Sequence, residues 1–286
     1  MLKNRFLSLV GALFLSVGCS TESNKGEDFF KEAQTYYKKK NYAKAFEYFK
    51  KAADAGNANG YNYLGEMYYY GWGVSKDFYK ALEYFQKAAD RGIAGAYFSL
   101  GYMYFSGEGV SQAYSKAFGY FQKAADLGIP HAYFYLGVLY QSGDGVAKDY
   151  HKALECYKKA ASAGVAEAYS NLGIMYISGQ GVVKDFRQAF KYFQKAADAG
   201  YAIAYMNLGS MYSRGEGVAR DYRKALEYYH KAADGGVSKA YLNLGLMYEL
   251  GHGVGKDKEM AYEYYKKACK MGEELGCKNA KSLLGD

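Results

Sequence analysis

The 286-residue sequence holds one proline, one tryptophan, four cysteines and four histidines. The histidines, at 131, 151, 230 and 252, have no His-x-x-x-His or comparable ligand spacing, so neither a metal site nor a cofactor is expected. The longest apolar run, "FLSLVGALFLSVG", has 13 residues. That is too short to cross a bilayer as a helix, which takes about 20. No Cys-x-x-Cys occurs, which argues against thiol redox work. The net charge of +8 is spread along the chain and forms no dense basic stripe with stacking aromatics, so no nucleic-acid partner is expected.

Against these shortages stand 35 tyrosines and 35 glycines. Such an imbalance arises when a few positions are reused many times. Leu-Gly recurs at 64/65, 100/101, 136/137, 172/173, 208/209 and 244/245, always 36 residues apart. Gly-x-Gly-Val recurs at 71, 107, 143, 179, 215 and 251 with the same period. These glycine loops follow a helical pattern and lack the Walker lysine, so they read as interhelical turns rather than phosphate cradles.

Each unit reads as two antiparallel amphipathic helices, A ("AYSNLGIMYISG", 168–179) and B ("DFRQAFKYFQKAADAG", 185–200). Asp77, Asp149, Asp185, Asp221 and Asp257 precede helix B as N-caps, whereas the second unit has Ala113 there and a looser start. Glycine after helix B supplies its left-handed cap. The Leu-Gly glycine should let helix B approach helix A closely. Cys156 stands where helix B otherwise carries tyrosine, at 84, 120, 192, 228 and 264, and is expected to be a small buried core thiol.

This pattern, A-Y-x-x-L-G-x-M-Y-x-x-G-x-G-V-x-x-D-x-x-K-A-x-x-Y-x-x-K-A-A-x-x-G, resembles the Sel-like repeat family, a branch of the tetratricopeptide solenoids. The resemblance implies an all-α, right-handed α/α superhelical solenoid. Six copies of 36 residues span 57–272. A shorter tetratricopeptide-like helix pair occupies 27–56, and a capping helix occupies 273–286.

At the N-terminus, "LSVGC" resembles the lipobox of bacterial lipoproteins, with Ser16 in the place of the usual leucine. The expected organisation is a signal peptide over 1–18, then a lipidated Cys19 and polar tether over 19–26. Ser20 after the cysteine implies, by the same resemblance, an outer-membrane lipoprotein facing the periplasm or the cell surface. Cleavage nearby, giving a secreted protein, is the alternative.

The C-terminal "KAC-x7-C" is similar to the Helicobacter cysteine-rich subfamily of exported Sel-like repeats, whose members carry a disulfide at this spacing. In register, Cys269 takes the place of the second alanine of "KAA". Cys277 takes that of the first tyrosine of helix A, so a Cys269–Cys277 disulfide would replace a packing contact. Members of that subfamily bear penicillin-binding or β-lactamase labels. No Ser-x-x-Lys, Ser-Asp-Asn or Lys-Thr-Gly supports such an activity here, and no catalytic residue is assigned.

Aligning the copies separates packing positions from free ones; positions 36 apart form a row named by its first member. Rows 60, 61, 64, 65, 67 and 68 of helix A are nearly fixed, while rows 62, 63, 66, 69 and 70 vary and fill one arc at about 100° per residue. By the resemblance, this variable face lines the concave side of the superhelix. It carries Asn171, Asn207 and Asn243, with Tyr63 and Tyr135 in the same row. Phe98, Phe134 and Tyr102 add apolar surface, and Tyr69, Tyr70 and Trp72 stand at its N-terminal end. Asparagine can both donate to and accept from a peptide backbone, so a non-catalytic scaffold for a peptide or protein segment is expected. Packing of the apolar rows against the next helix A is the competing explanation, and a structural or host-interacting antigen the competing role.

Overall fold

The structure, a computed structural model, describes residues 25–284. Among them every regular element is a helix and no strand occurs. In chain order these are α1 (25–38), α2 (Tyr42–Asp54), α3 (Ala58–Tyr70), α4 (Phe78–Ala89), α5 (Ala94–Ser106), α6 (Tyr114–Asp126), α7 (Pro130–Ser142) and α8 (Tyr150–Ser162). There follow α9 (Ala166–Ser178), α10 (Phe186–Asp198), α11 (Ala202–Arg214), α12 (Tyr222–Asp234), α13 (Ser238–Leu250), α14 (Lys258–Lys270) and α15 (Glu274–Leu284). Odd-numbered helices from α3 are A helices and even-numbered ones B helices. The described residues form two compact units, one reaching Ala132 and taking in Asp144–Ala147, the other made of Tyr133–Gly143 and Lys148 onward.

Local chemistry sets the helix ends. Asp77, Asp149, Asp185, Asp221 and Asp257 each accept from backbone N–H groups two or three residues on, satisfying donors that the first turn leaves free. Ala113 makes no such bond, and α6 starts uncapped. Gly56 shows how a B helix stops: at φ 87° it donates to the carbonyl of Ala53, and Asn57 donates to that of Ala52.

Packing within each hairpin follows from the Leu-Gly glycine. A Cβ on Gly65 would lie 2.6 Å from the Phe85 ring, and one on Gly137 2.7 Å from Tyr157. The bare helix A backbone therefore receives the large B-helix ring. Leu64 and Met67 from α3 join Phe49, Ala52 and Ala53 from α2 in one such core. Each fully buried ring contributes about 1.5–3 kcal/mol over leaving it exposed. The second glycine of each loop answers a different approach: a Cβ on Gly73 would lie 2.5 Å from the Tyr42 carbonyl group, and one on Gly145 2.4 Å from the Tyr114 carbonyl carbon. These loops hold down the start of the preceding B helix, which explains their glycines by backbone proximity.

Outside the core runs a second layer of tyrosines. Tyr68 stacks on Tyr84 at 5.5 Å between centroids, Tyr104 on Tyr120 at 5.6 Å and Tyr212 on Tyr228 at 5.6 Å. Cys156 belongs to this half-buried layer and not to the core as expected; the core position is its neighbour Tyr157, which is fully buried. Burial still pushes the Cys156 thiol up to about 11, so it is a neutral thiol at physiological pH.

At the C-terminal end the sulfurs of Cys269 and Cys277 are bonded, their Cα atoms 4.6 Å apart. One repeat earlier the same two positions touch without a covalent bond: the Tyr241 hydroxyl donates to the carbonyl of Ala233 at 3.1 Å.

Candidate partner-binding face of the A helices

The variable rows of helix A divide into two kinds of surface. Row 62 is largely packed. Phe98 lies 5.8 Å from Phe121 and 6.3 Å from His131, and Phe134 lies 5.9 Å from Tyr157. Rows 66 and 70 leave apolar side chains in solvent: Tyr70, Ile174, Leu246 and Leu250 are exposed. The packing explanation thus accounts for the first row and leaves Ile174, Leu246 and Leu250 unexplained.

Row 63 is half-buried, and its partner is the large core ring of the preceding B helix. Tyr63 stacks on Phe49 at 4.6 Å with a 16° interplanar angle. Where that core ring is tyrosine, an asparagine can meet its hydroxyl. Tyr157 donates to Oε1 of Gln141 at 2.8 Å and receives a bond from Asn171. Tyr265 donates to Oε2 of Glu249 at 2.6 Å and receives one from Asn279. Asn207 is different. The residue 36 after Tyr157 is Phe193, which has no hydroxyl, and the Nδ2 of Asn207 is buried without a partner. Asn243 is half-buried, as are Tyr135, whose ring meets Phe134 edge-on at 5.3 Å, and Tyr102.

The N-terminal aromatics are joined to one another. Trp72 stacks on Tyr42 at 5.6 Å and on Tyr70 at 4.4 Å, with Tyr37 edge-on at 5.7 Å. The tryptophan is therefore a half-buried bridge between α2 and the end of α3, and Tyr70, 56 % exposed, is the ring that faces outward. Tyr69 donates to Glu108.

Two residues on this face escaped sequence reasoning. Asn62 is 8 % exposed; its Nδ2 donates to Oε1 of Glu66 at 2.9 Å, while its Oδ1 is buried without a partner. Burial pushes the Glu66 carboxyl up to about 7, with only the Asn62 amide pulling it back. The available signal was Glu66 itself, the one acid in a row otherwise made of Tyr102, Val138, Ile174, Ser210 and Leu246.

A cleft of about 550 Å³ opens between the N-terminal ends of α11 and α13, lined by Tyr201, Ile203, Met206, Lys239 and Glu273 among others. Among the described residues no group of three or more His, Cys, Asp or Glu could hold a metal ion. Nor is any described helix long and apolar enough to cross a membrane. Cys19 and the expected signal peptide lie outside the described residues.

The family model of the Sel1 repeat matches seven segments: 32–57, 58–93, 94–129, 130–165, 166–201, 202–237 and 238–273. The first begins within the 27–56 segment expected to be a plainer helix pair and ends one residue beyond it. Among solved structures, a protective antigen of uropathogenic Escherichia coli displaying an SLR fold is 30% identical, with a TM-score of 0.78 over 92% of this chain. The chain spans 57% of that antigen's length. A Sel1 repeat protein of Oxalobacter formigenes is 32% identical, with a TM-score of 0.79 over 84% of this chain and 96% of its own. Cysteine rich protein B of Helicobacter pylori is 31% identical over 46% of this chain and 93% of its own, with a TM-score of 0.37. No curated protein matches the chain.

Proposed function

The chain belongs to the Sel1 repeat family, and from that membership we propose that it is a non-catalytic scaffold holding a peptide or protein segment on the variable face of its A helices. The repeat solenoid fold supports a protein-interaction role; the partner, the face and the mode of binding are the proposal. One observation carries it: two A-helix amides keep unused hydrogen-bonding capacity while buried, Nδ2 of Asn207 and Oδ1 of Asn62. An unmet buried polar atom costs about 1–3 kcal/mol. Turning the Asn207 amide outward onto a bound backbone carbonyl would remove that cost. The exposed Ile174, Leu246 and Leu250 supply apolar contact alongside.

Asn171 and Asn243 occupy the same row as Asn207 and extend the polar line along α9, α11 and α13. The proposal includes export and anchoring through a lipid on Cys19, which puts the scaffold at the cell envelope. Crosslinked pull-downs from envelope fractions test the binding role. Alanine at Asn171, Asn207 and Asn243 should abolish capture of a partner held by the wild-type chain. Undiminished capture would show that the repeats act as a spacer. Cys19→Ala should release the protein from membranes, and continued membrane association would sink the lipid anchor.

A further inference from the structure

We infer that the Asn62–Glu66 pair on α3 is a receptor for one primary ammonium group, the side chain of a lysine in the bound segment. This rests on the binding role proposed above and names the chemistry of one subsite. The pair is one-sided. When Glu66 is ionised, what remains after Nδ2 of Asn62 has donated to it is acceptors only: Oδ1 of Asn62, with no partner, and the free lone pairs of the carboxylate. Among the described residues no lysine, arginine or histidine forms an ion pair with Glu66. The salt bridges among the described residues lie between exposed or half-buried side chains, mostly one helical turn apart.

The surroundings suit a cation with an apolar stem. Burial raises the phenols of Tyr37 of α1 and Tyr70 of α3, and the nearby charge of Glu66 raises both further. Tyr70 stands one turn beyond Glu66 and is exposed. Ring faces attract ammonium groups, more strongly once water is excluded.

On the side of α5 the Asn62 amide faces Gly95: a Cβ there would lie 3.8 Å from both amide atoms, in ordinary contact, so the glycine leaves a gap the size of a methyl group. One repeat later the equivalent position is His131, which meets Phe98 at 6.3 Å. The site occurs once. The other pairs in rows 62 and 66 are Phe98 and Tyr102, Phe134 and Val138, Ser170 and Ile174, Met206 and Ser210, and Leu242 and Leu246. None of these combines an amide with a carboxylate.

Ammonium fits better than the other donors. A compact head with three rotatable N–H groups matches one amide oxygen and one carboxylate, whereas guanidinium presents a rigid planar fork of five. A divalent metal would need more oxygen ligands than two side chains supply.

The test uses the full chain and two probes, N-acetyl-lysine-N-methylamide and its norleucine counterpart, which keeps most of the apolar stem and lacks the charge. Binding is followed through the side-chain amide resonance of Asn62. Saturable binding of the lysine probe is expected, weakened about tenfold or more in Glu66→Gln, with the norleucine probe weaker than lysine by a similar factor. Equal binding of the two probes, binding unchanged by Glu66→Gln, or no saturation by lysine in the wild type would each overturn the inference. Glu66→Gln keeps an acceptor for Asn62, and an unchanged far-ultraviolet circular dichroism spectrum certifies that the variant is folded. The pull-down separates this inference from the reading beneath it. A partner lost with Asn207→Ala but fully retained by Glu66→Gln leaves the scaffold standing and removes the lysine subsite. A lysine probe that binds while no partner is captured does the reverse.

Discussion

The two ends of the described residues are held by different chemistry. At the N-terminal end, α1 and α2 close against α3 with ring mass: Phe30, Tyr37, Phe49 and Tyr63 meet one another at 4.6–6.1 Å, and Tyr42 and Trp72 extend the cluster. At the C-terminal end the buried cluster shrinks to Ala261, Tyr265 and Ala280, and a covalent bond joins α14 to α15. One end relies on burial that exists only in the folded state. The other restricts the unfolded chain as well.

That contrast can be broken from either side. The largest effect is expected from Phe49→Ala, which empties a fully buried ring site beneath Tyr63 and should cost about 3–5 kcal/mol in denaturant unfolding. A loss below about 1 kcal/mol would mean that the aromatic end is not held by its core.

Next comes the buried acid at the same end. The Glu66 carboxyl is raised in the folded state from 4.5 to about 7. Its contribution is therefore fully present below about pH 4.5 and is lost as pH rises through about 7. Tyr37 and Tyr70, both pushed upward, stay neutral across that window. Relative to Glu66→Gln, the wild type should lose about 3 kcal/mol of stability between those pH values. Parallel pH profiles for the two proteins would show that the carboxylate is solvated.

At the other end, closing so short a loop should be worth about 2–3 kcal/mol. Cys269→Ser should lower stability by that amount and speed amide exchange in α15, leaving α1–α3 unchanged. Exchange that accelerates at both ends would contradict a local staple. The smallest effect is expected in between: Ala113→Asp supplies the cap that the other B helices from α4 onward possess, and should stabilise the protein by about 1 kcal/mol.

Much of this was legible in the sequence because repetition turns packing rules into visible rows. The 36-residue period, the aspartate caps and the need for glycine at 65 could all be read from rows that barely vary. Exceptions within a row were harder. Tyr84 and Phe85 are adjacent and both aromatic, so sequence alone did not show which one enters the core, and Cys156 was assigned to the wrong layer. Trp72 has the composition of an exposed anchor, but its stacking between Tyr42 and Tyr70 depends on α2 and α3 meeting in space. Asn62 and Glu66 were hidden for a related reason: their rows are otherwise apolar or small, and their pairing one turn apart matters only once burial has stripped them of water.

The central claim is that the variable face of the A helices is the one that holds a partner. Photo-crosslinking amino acids placed singly at Ile174 and Leu246 on that face, and at Tyr79 and Val183 among the exposed residues elsewhere, test it most directly. The account expects one partner to be captured from 174 and 246 but not from 79 or 183, with capture lost on Asn207→Ala. Equal capture from all four positions, or capture from 79 and 183 alone, would contradict it.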